Sequence, residues 1–491
     1  MVGQLNMIDL QSGLQLLEEL NYSVWHDDMR ESYISFVIDD KKRLMKLKSS
    51  EFKRLFCYKY EIANNNSPSG KLVKGVISHL DGKAIYESEM IEPDVRLIGN
   101  AESIEIDLCD ASFNVVRIGR DGFEITQPEG HFLRRHGLLP LPVPVKLTNE
   151  ECRLAIDEFK GLLNVTDDQF VLVIGAILMS FHPSGPYPVL FVQGEHGSAK
   201  GSLCEAIKWV VDPNKTPHTT LPKDVNDLVI QAASNRVLSF DNVSDYTFTK
   251  KLSDMFAQVA TGIGLRKRQL YTDDGECVIN VSRMIMMNGI DDVVTQSDLV
   301  SRAIGLRLNP VNVENRISKS EFKARLGEAQ VNFFSAMVNV ISGILRNHED
   351  VQIVSGARMF DMIHWVTAGE EVLGWEAGTF QHIYEENQKD MTEIGLGEDP
   401  LAAAIIKFMS NKVEWNGNAS RLLSCLNAST EKGLRNTAGW PRSPISLGRS
   451  LNRINTSLRS LGIEISRPDR SSSERLIEIA NINLIPDKKV N

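Results

Sequence analysis

The stretch Val189-Leu190-Phe191-Val192-Gln193-Gly194-Glu195-His196-Gly197-Ser198-Ala199-Lys200-Gly201-Ser202 decides how this chain is read. Its first five residues have the apolar, β-prone composition of a short buried strand. The residues after Ser202, from Leu203 to Val210, have a helical composition. A strand, a glycine-rich loop, a lysine and a helix in this order form a phosphate-binding loop. The glycines let backbone N–H groups wrap phosphate oxygens. The helix N-terminus adds partial positive charge, and Lys200 reaches the outer phosphates. Gly194 and Lys200 have the usual spacing, but Ala199 stands where glycine is usual. Gly201 stands where Ser or Thr would hold Mg2+. Ser202 follows one helical step on, turned about 100° away.

Two further strands fit beside this loop. Val237-Leu238-Ser239-Phe240-Asp241-Asn242 is apolar and ends in an acid, the group that a Mg2+–phosphate site needs on a neighbouring strand. Met284-Ile285-Met286-Met287-Asn288-Gly289-Ile290 ends in an amide that could orient an attacking water, although Asn-Gly is also a common turn. Apolar strands separated by helical segments predict an α/β fold with a parallel, covered sheet.

The rest of the chain bounds the possibilities. At 491 residues it exceeds one ordinary core. No segment approaches the roughly 20 continuous apolar residues that span a bilayer, and the N-terminus has no secretory pattern, so a cytoplasmic protein without a membrane partner is expected. Six scattered cysteines lack metal-ligand spacing and suggest reduced thiols. The formal charge of −10 disfavours a protein that coats DNA with its whole surface, so DNA contacts must be local.

Four regions are expected. Residues 1–139 have an α+β pattern without legible chemistry. The alternating prolines 140, 142 and 144 make a stiff connector. Residues 146–310 carry the nucleotide motifs. Residues 311–396 are expected to be helical, over 319–326, 332–346, 359–373 and 379–391. Residues 397–491 hold a basic patch: from Glu431 to Arg475 there are nine Lys or Arg against four Asp or Glu. There Leu447, Leu451, Ile454, Leu458 and Leu461 repeat at helical spacing, with Ser446 as the expected N-cap and Gly462 as the stop. Two strands joined by a basic loop follow. Helix, strand, basic loop, strand is the back half of a winged helix. Its candidate DNA contacts are Arg449, Arg453, Arg467 and Arg470.

Taken in order, the motifs resemble one family. They comprise Asn235 to Ser244, Leu252-Ser253-Asp254, Thr261-Gly262, Arg268 to Asp274, Asn288-Gly289-Ile290 and Asp298 to Ala303. The series is similar to that of the AAA+ ATPases of phages, plasmids and chromosomal islands, often called primase–helicases and related to superfamily 3 and MCM helicases. The resemblance covers about 139–479. It implies an AAA+ core with a helical lid, ATP and Mg2+ as ligands, and a homo-oligomer, expected to be a hexamer.

By that resemblance Gly194 to Ser202 would be the Walker A loop, and Asp241 the Walker B acid, holding Mg2+ together with Ser202. Asn242 would replace a catalytic Glu, and Asn288 would be sensor 1. Arg302 would be an arginine finger for the neighbouring subunit, and Arg358, in Ala357-Arg358-Met359, would be sensor 2 on the lid. Such a finger stabilises charge developing at the γ-phosphate and makes activity depend on assembly.

Between the second and third motif strands, Leu265-Arg266-Lys267-Arg268 and Glu276 to Ile279 flank an Asp-Asp-Gly turn and read as a hairpin. In related rings such a hairpin projects into the pore, where Arg266, Lys267 and Arg268 would face a single DNA strand. The expected function is a DNA helicase or replication initiator of a mobile element. The alternatives are a nucleotide-dependent DNA-binding switch with slow hydrolysis, which Gly201 favours, and an AAA+ ATPase of a phage-defence system. No primase site is legible.

Overall fold

The computed structural model describes residues 7–38, 41–244, 246–262, 265–268, 276–279, 281–291, 293–397, 399–437, 439–467 and 476–484. The chain begins with α1 (Met7–Glu19), β1 (Ser23–His26), β2 (Ser32–Ile38), β3 (Lys41–Lys46), α2 (Ser50–Asn64) and α3 (Gly70–Glu87). The strands form an antiparallel meander with β3 at one edge. Ser49 and Ser69 accept backbone N–H groups at the starts of α2 and α3, which fixes where these helices begin. Ile34, Phe36, Phe52, Phe56, Val76 and Leu80 fill the core between sheet and helices.

A second antiparallel sheet follows: β4 (Leu97–Gly99), β5 (Ile104–Asp107), β6 (Val115–Gly119) and β7 (Gly122–Thr126). Its buried face does not close on itself. Ile104, Ile106, Val116 and Ile118 share one continuous core with α4 (Asn149–Gly161), α5 (Asp167–Ser180) and later helices. The boundary expected near Leu139 therefore does not divide the hydrophobic core. The proline-rich connector is docked rather than free: Leu141 N donates to Leu108 O, and Val145 N donates to Ser335 Oγ.

The centre is a four-stranded parallel sheet of β8 (Val189–Gly194), β9 (Val237–Val243), β12 (Met284–Gly289) and β13 (Ala303–Leu308). Between these strands lie α6 (Lys200–Val211), α7 (Val225–Ala232), α8 (Lys250–Thr261), the hairpin β10 (Leu265–Arg268) and β11 (Glu276–Ile279), and α9 (Ser297–Val300). The order across the sheet is β13-β8-β12-β9, so the strand leading into the glycine-rich loop is flanked on both sides. Every residue of α5 from Phe170 to Ser180 is buried, as expected of a helix that is apolar on all faces.

After the sheet come α10 (Lys319–Asn347), α11 (Phe360–Thr367), α12 (Glu370–Leu373) and α13 (Thr379–Gly397). Two expected helices, 319–326 and 332–346, are one continuous α10. Gly327 does not break it, because Ala324 to Leu326 and Glu328 to Gln330 on its two sides are good helix formers. The expected helix 359–373 is instead two, separated at Ala368-Gly369. Gly369 lies against α10, where a Cβ would stand 3.0 Å from Ile344 and 3.1 Å from Val340. The helices of 311–396 share the central core through Phe333, Ile341, Met362 and Phe380.

The C-terminal unit has a separate core. Its order is α14 (Pro400–Met409), β14 (Glu414–Asn418), α15 (Ala419–Ser429), α16 (Lys432–Arg435), α17 (Pro444–Ser460), β15 (Ile463–Ser466) and β16 (Leu476–Asn481). The strands pair antiparallel in the order β14-β16-β15. The expected N-cap Ser446 is instead the third helical residue of α17. Ser443 is the N-cap and forms a capping box with Ser446, and Pro444 takes the first helical position, where its missing N–H costs nothing. Among the described residues, no helix is long and apolar enough to cross a membrane.

Candidate functional site

The three motif strands end at one edge of the parallel sheet. β8 runs into the loop at Gly194, β9 carries Asp241 and Asn242, and β12 carries Asn288. Crevices at the carboxyl ends of such strands are where open α/β sheets bind ligands.

The loop is shaped by close packing. Gly194 has φ +158°, and a Cβ there would meet Leu308 O and Ser198 Oγ, both at 2.6 Å. Gly197 has φ +81°, also favourable only to glycine. Ser198 is fully buried and donates its hydroxyl to Glu195 O at 2.9 Å. Glu195 and His196 are exposed at the loop tip. Lys200 opens α6 and folds its ammonium back on the loop, donating to Gly194 O at 2.6 Å and Glu195 O at 2.8 Å. Burial lowers its pKa, and the nearby Asp241 carboxylate opposes that shift. The ammonium is thus held in the bowl that the loop forms. The residues present fit a polyphosphate.

Ala199 caps α6 in the left-handed conformation, with φ +63°. This explains why glycine is usual at this position: an L-residue there costs about 1–2 kcal/mol. Ala199→Gly removes that strain but frees the unfolded chain by about 0.4–1 kcal/mol. A net stabilisation of about 0.5–1 kcal/mol is expected, readable as a higher urea midpoint at unchanged slope.

Asn288 is buried and reaches across the sheet, where its Oδ1 accepts the Asn242 N–H at 3.4 Å. The β9–β12 register shifts at this point, and Asn242 sits at φ +58°. Such bulges re-aim side chains near functional sites. Gly289 cannot carry a side chain, since a Cβ would lie 2.2 Å from Val243 O. Asn288 Nδ2 is buried with no oxygen or nitrogen partner, next to the buried Cys204 thiol, whose pKa burial pushes up to about 12. Asp241 is exposed on β9, which β12 separates from β8, so the acid does not lie on the strand next to the loop as expected. Ser202 is half-buried in the first turn of α6. Gly201 has open space around it, with no atom within 4 Å of where a Cβ would stand.

Two contributors were not legible as site residues. Asn164, between α4 and α5, donates its amide to Ser198 O at 3.1 Å and to Asn309 O at 2.7 Å. Arg316 lies over the loop: a Cβ on Gly197 would stand 3.1 Å from its Nη2. The segment carrying it is tied down, because Val311 N donates to Gly197 O at 3.0 Å and Arg316 Nε donates to Val311 O at 3.3 Å. Lys323 of α10 pairs with Glu205 of α6 at 2.9 Å.

Arg302 and Arg358 are elsewhere. Arg302 precedes β13, and its carbonyl accepts the Val189 N–H at the start of β8. That is the opposite end of the sheet from Gly194, roughly 16 Å along the strand. Arg302 is only 2% exposed and pairs with Asp298 at 2.6 Å. Arg358 reaches the same carboxylate at 3.3 Å. Arg358, expected among the nucleotide-binding residues as sensor 2 on the lid, is held by Asp298 at the far edge of the sheet from the loop of its own chain. Arg302, expected as a projecting finger, is folded into its own chain.

The expected DNA contacts divide. β10 and β11 pair antiparallel from Leu265↔Ile279 to Arg268↔Glu276, so Arg266, Lys267 and Arg268 lie on a hairpin strand. Its turn, 269–275, lies outside the described residues, as does Arg470. Arg449 is exposed on α17. Arg453 pairs with Asp399 at 2.7 Å, pinning α17 to the start of α14, and Arg467 donates to Gly448 O at 3.0 Å. Both contacts lie within the C-terminal unit.

The fold and site thus define an α/β protein with a glycine-rich, lysine-headed loop at the carboxyl edge of a parallel sheet. Residues 156–378 match the family model of the actinomycete integrative conjugative element replication protein, and residues 401–487 match that of the AICE RepA C-terminal domain. The chain is similar to these mobile-element replication proteins over both the sheet-bearing body and the C-terminal unit. No curated protein matches it. Among solved structures, the apo structure of the NrS-1 C terminal region (305-718) is 12% identical with a TM-score of 0.41, covering 97% of this chain and all (100%) of that one. Its A form is 11% identical with a TM-score of 0.38, covering 96% and 100%.

Proposed function

We propose that this chain is an ATP-driven, ring-forming DNA helicase or replication initiator of a mobile element. One observation carries the reading: the site is split between the two ends of one sheet. Lys200, Asp241 and Asn288 lie at the carboxyl edge, and the paired cations Arg302 and Arg358 lie at the amino edge. No single chain can bring both sets to one nucleotide, but neighbours in a ring can.

In this reading the loop and Lys200 bind the triphosphate of ATP. Asp241, with Ser202, holds Mg2+, which neutralises phosphate charge when bound. Asn288 orients the attacking water. Arg316 adds a cation from the same chain. Asp298 is a catch that releases Arg302 and Arg358 toward a neighbour's γ-phosphate. The hairpin that carries Arg266, Lys267 and Arg268 meets a single strand in the pore. The helix and strand order of the C-terminal unit supports a winged helix, with Arg449 facing duplex DNA.

Measuring ATP hydrolysis with and without single-stranded DNA tests the motor. Subunit mixing tests the split site. Lys200→Ala and Arg302→Lys should each be inactive alone, and mixing them should restore part of the activity, because some interfaces then pair an intact loop with an intact finger. No recovery at any ratio would refute a finger supplied between subunits. Gly201 favours a second reading, a switch that binds nucleotide but hydrolyses it slowly.

A further inference from the structure

A second cationic cavity lies far from the nucleotide loop in sequence, where β3 meets the segment 107–134. It has a volume of about 180 Å³, roughly that of six waters. Its chemistry is set by Lys42, Arg43, Phe113, His131 and Arg134, with Asp107 and Glu51 also on its wall.

The cavity is built rather than incidental. Phe113 is held between two guanidinium groups, with Arg134 at 4.0 Å and Arg43 at 5.3 Å from its ring centre. Its backbone sits at φ +60°, a conformation that a bulky residue adopts only when its surroundings enforce it. Asp107 is already occupied, taking two hydrogen bonds from Arg134 at 2.6 and 3.0 Å. Arg43 Nε is buried with no hydrogen-bond partner. Neither Lys42 nor Arg43 has a carboxylate partner among the described residues. Burial, and the Lys42 charge beside it, lower the His131 pKa to about 4, so this imidazole is a neutral donor or acceptor at physiological pH. Among the described residues the cavity therefore offers two cations without a carboxylate partner, one ordered guanidinium and an aromatic face.

We propose that this cavity binds a phosphoryl group of a nucleic-acid strand, clasped by Lys42 and Arg43 with the adjoining nucleoside against Phe113. A guanidinium and an ammonium converging on a small space match phosphate oxygens, and the ring suits a sugar or base. The inference does not rest on the nucleotide loop.

The test uses the full chain carrying Lys200→Ala, so that the loop site is silenced. Calorimetry would compare a 5′-phosphorylated thymidine dinucleotide, the same dinucleoside joined by an uncharged methylphosphonate and without the 5′-phosphate, and inorganic phosphate. The phosphorylated form should bind at least about tenfold more tightly than the unphosphorylated one. Lys42→Ala should cost a similar factor, and Arg43→Lys should retain more binding than Arg43→Gln. Equal binding of inorganic phosphate and the phosphorylated dinucleotide would overturn the assignment to a nucleic-acid strand and leave a site for free phosphate. Crystals soaked in tungstate should show the anion between Lys42 and Arg43. No tungstate in the cavity, or dinucleotide affinity unchanged by both Lys42→Ala and Arg43→Gln, overturns the proposal.

Discussion

Lys200→Ala should lower ATP turnover by at least about a hundredfold and ATP affinity by about ten- to a hundredfold. The ammonium lies within the bowl of the loop, and its carbonyl contacts to Gly194 and Glu195 show that it already points there. Its pKa is lowered by burial, so the charge is held in a place where it is poorly solvated and a phosphate would be welcome. Removing the side chain leaves the loop backbone intact, because Gly194, Gly197 and Ser198 are positioned by their own contacts. The loss should therefore appear in binding and turnover rather than in unfolding. Gly201→Ser is the informative companion. There is open space for the added hydroxyl, so the variant should fold normally. If wild-type turnover is measurable and unchanged by Gly201→Ser, the motor operates without a hydroxyl at that position. If turnover appears only in Gly201→Ser, the chain is a nucleotide-dependent switch.

The loop was legible in the sequence because its chemistry is local. Glycine spacing, a lysine and a helix behind a strand lie within one short stretch. Ala199 shows the limit of that reading. The sequence marks it as a departure from pattern, but only its left-handed backbone shows that the departure is a strain rather than a change of shape. Arg316 was invisible because nothing in its neighbourhood signals phosphate. It reaches the loop because the Val311–Gly197 hydrogen bond folds the segment back. The sequence does not show on which side of the sheet Arg358 lies, because a shared partner, Asp298, decides its position, and shared partners leave no periodic trace. The connector at 140–145 looked like a boundary because its prolines break helices. The core passes beneath it, since β5 and β6 bury the same surface as α4 and α10. Composition reports where a chain cannot be helical, and it does not report where a core ends.

The same boundary carries the largest expected effect on stability. Asp212→Ala should destabilise the protein by about 3–5 kcal/mol and lower its unfolding temperature by on the order of 10 °C, measured by calorimetry or circular dichroism. Asp212 ends α6 fully buried, and its carboxylate pairs with Lys208 at 2.8 Å and Arg96 at 3.4 Å. It also accepts the Arg236 N–H at 2.9 Å and the Val237 N–H at 3.3 Å. Truncation would leave two buried cations, Lys208 at 2% and Arg96 at 1% exposure, without their shared anion. Arg96 comes from the edge of the second sheet, where it also donates to Asp107 O and Leu139 O, so the ion cluster joins that sheet to the body that carries the glycine-rich loop. The acid dependence follows in sign. Burial alone would raise the Asp212 pKa, but Lys208 and Arg96 outweigh it and the folded-state pKa is lowered. Its contribution is therefore complete above the ordinary carboxylate range and disappears as pH falls through the lowered value. The wild type should lose stability on acidification more steeply than Asp212→Ala, and the two curves should converge at low pH. Parallel curves would mean that the cluster is held by packing rather than by its charge.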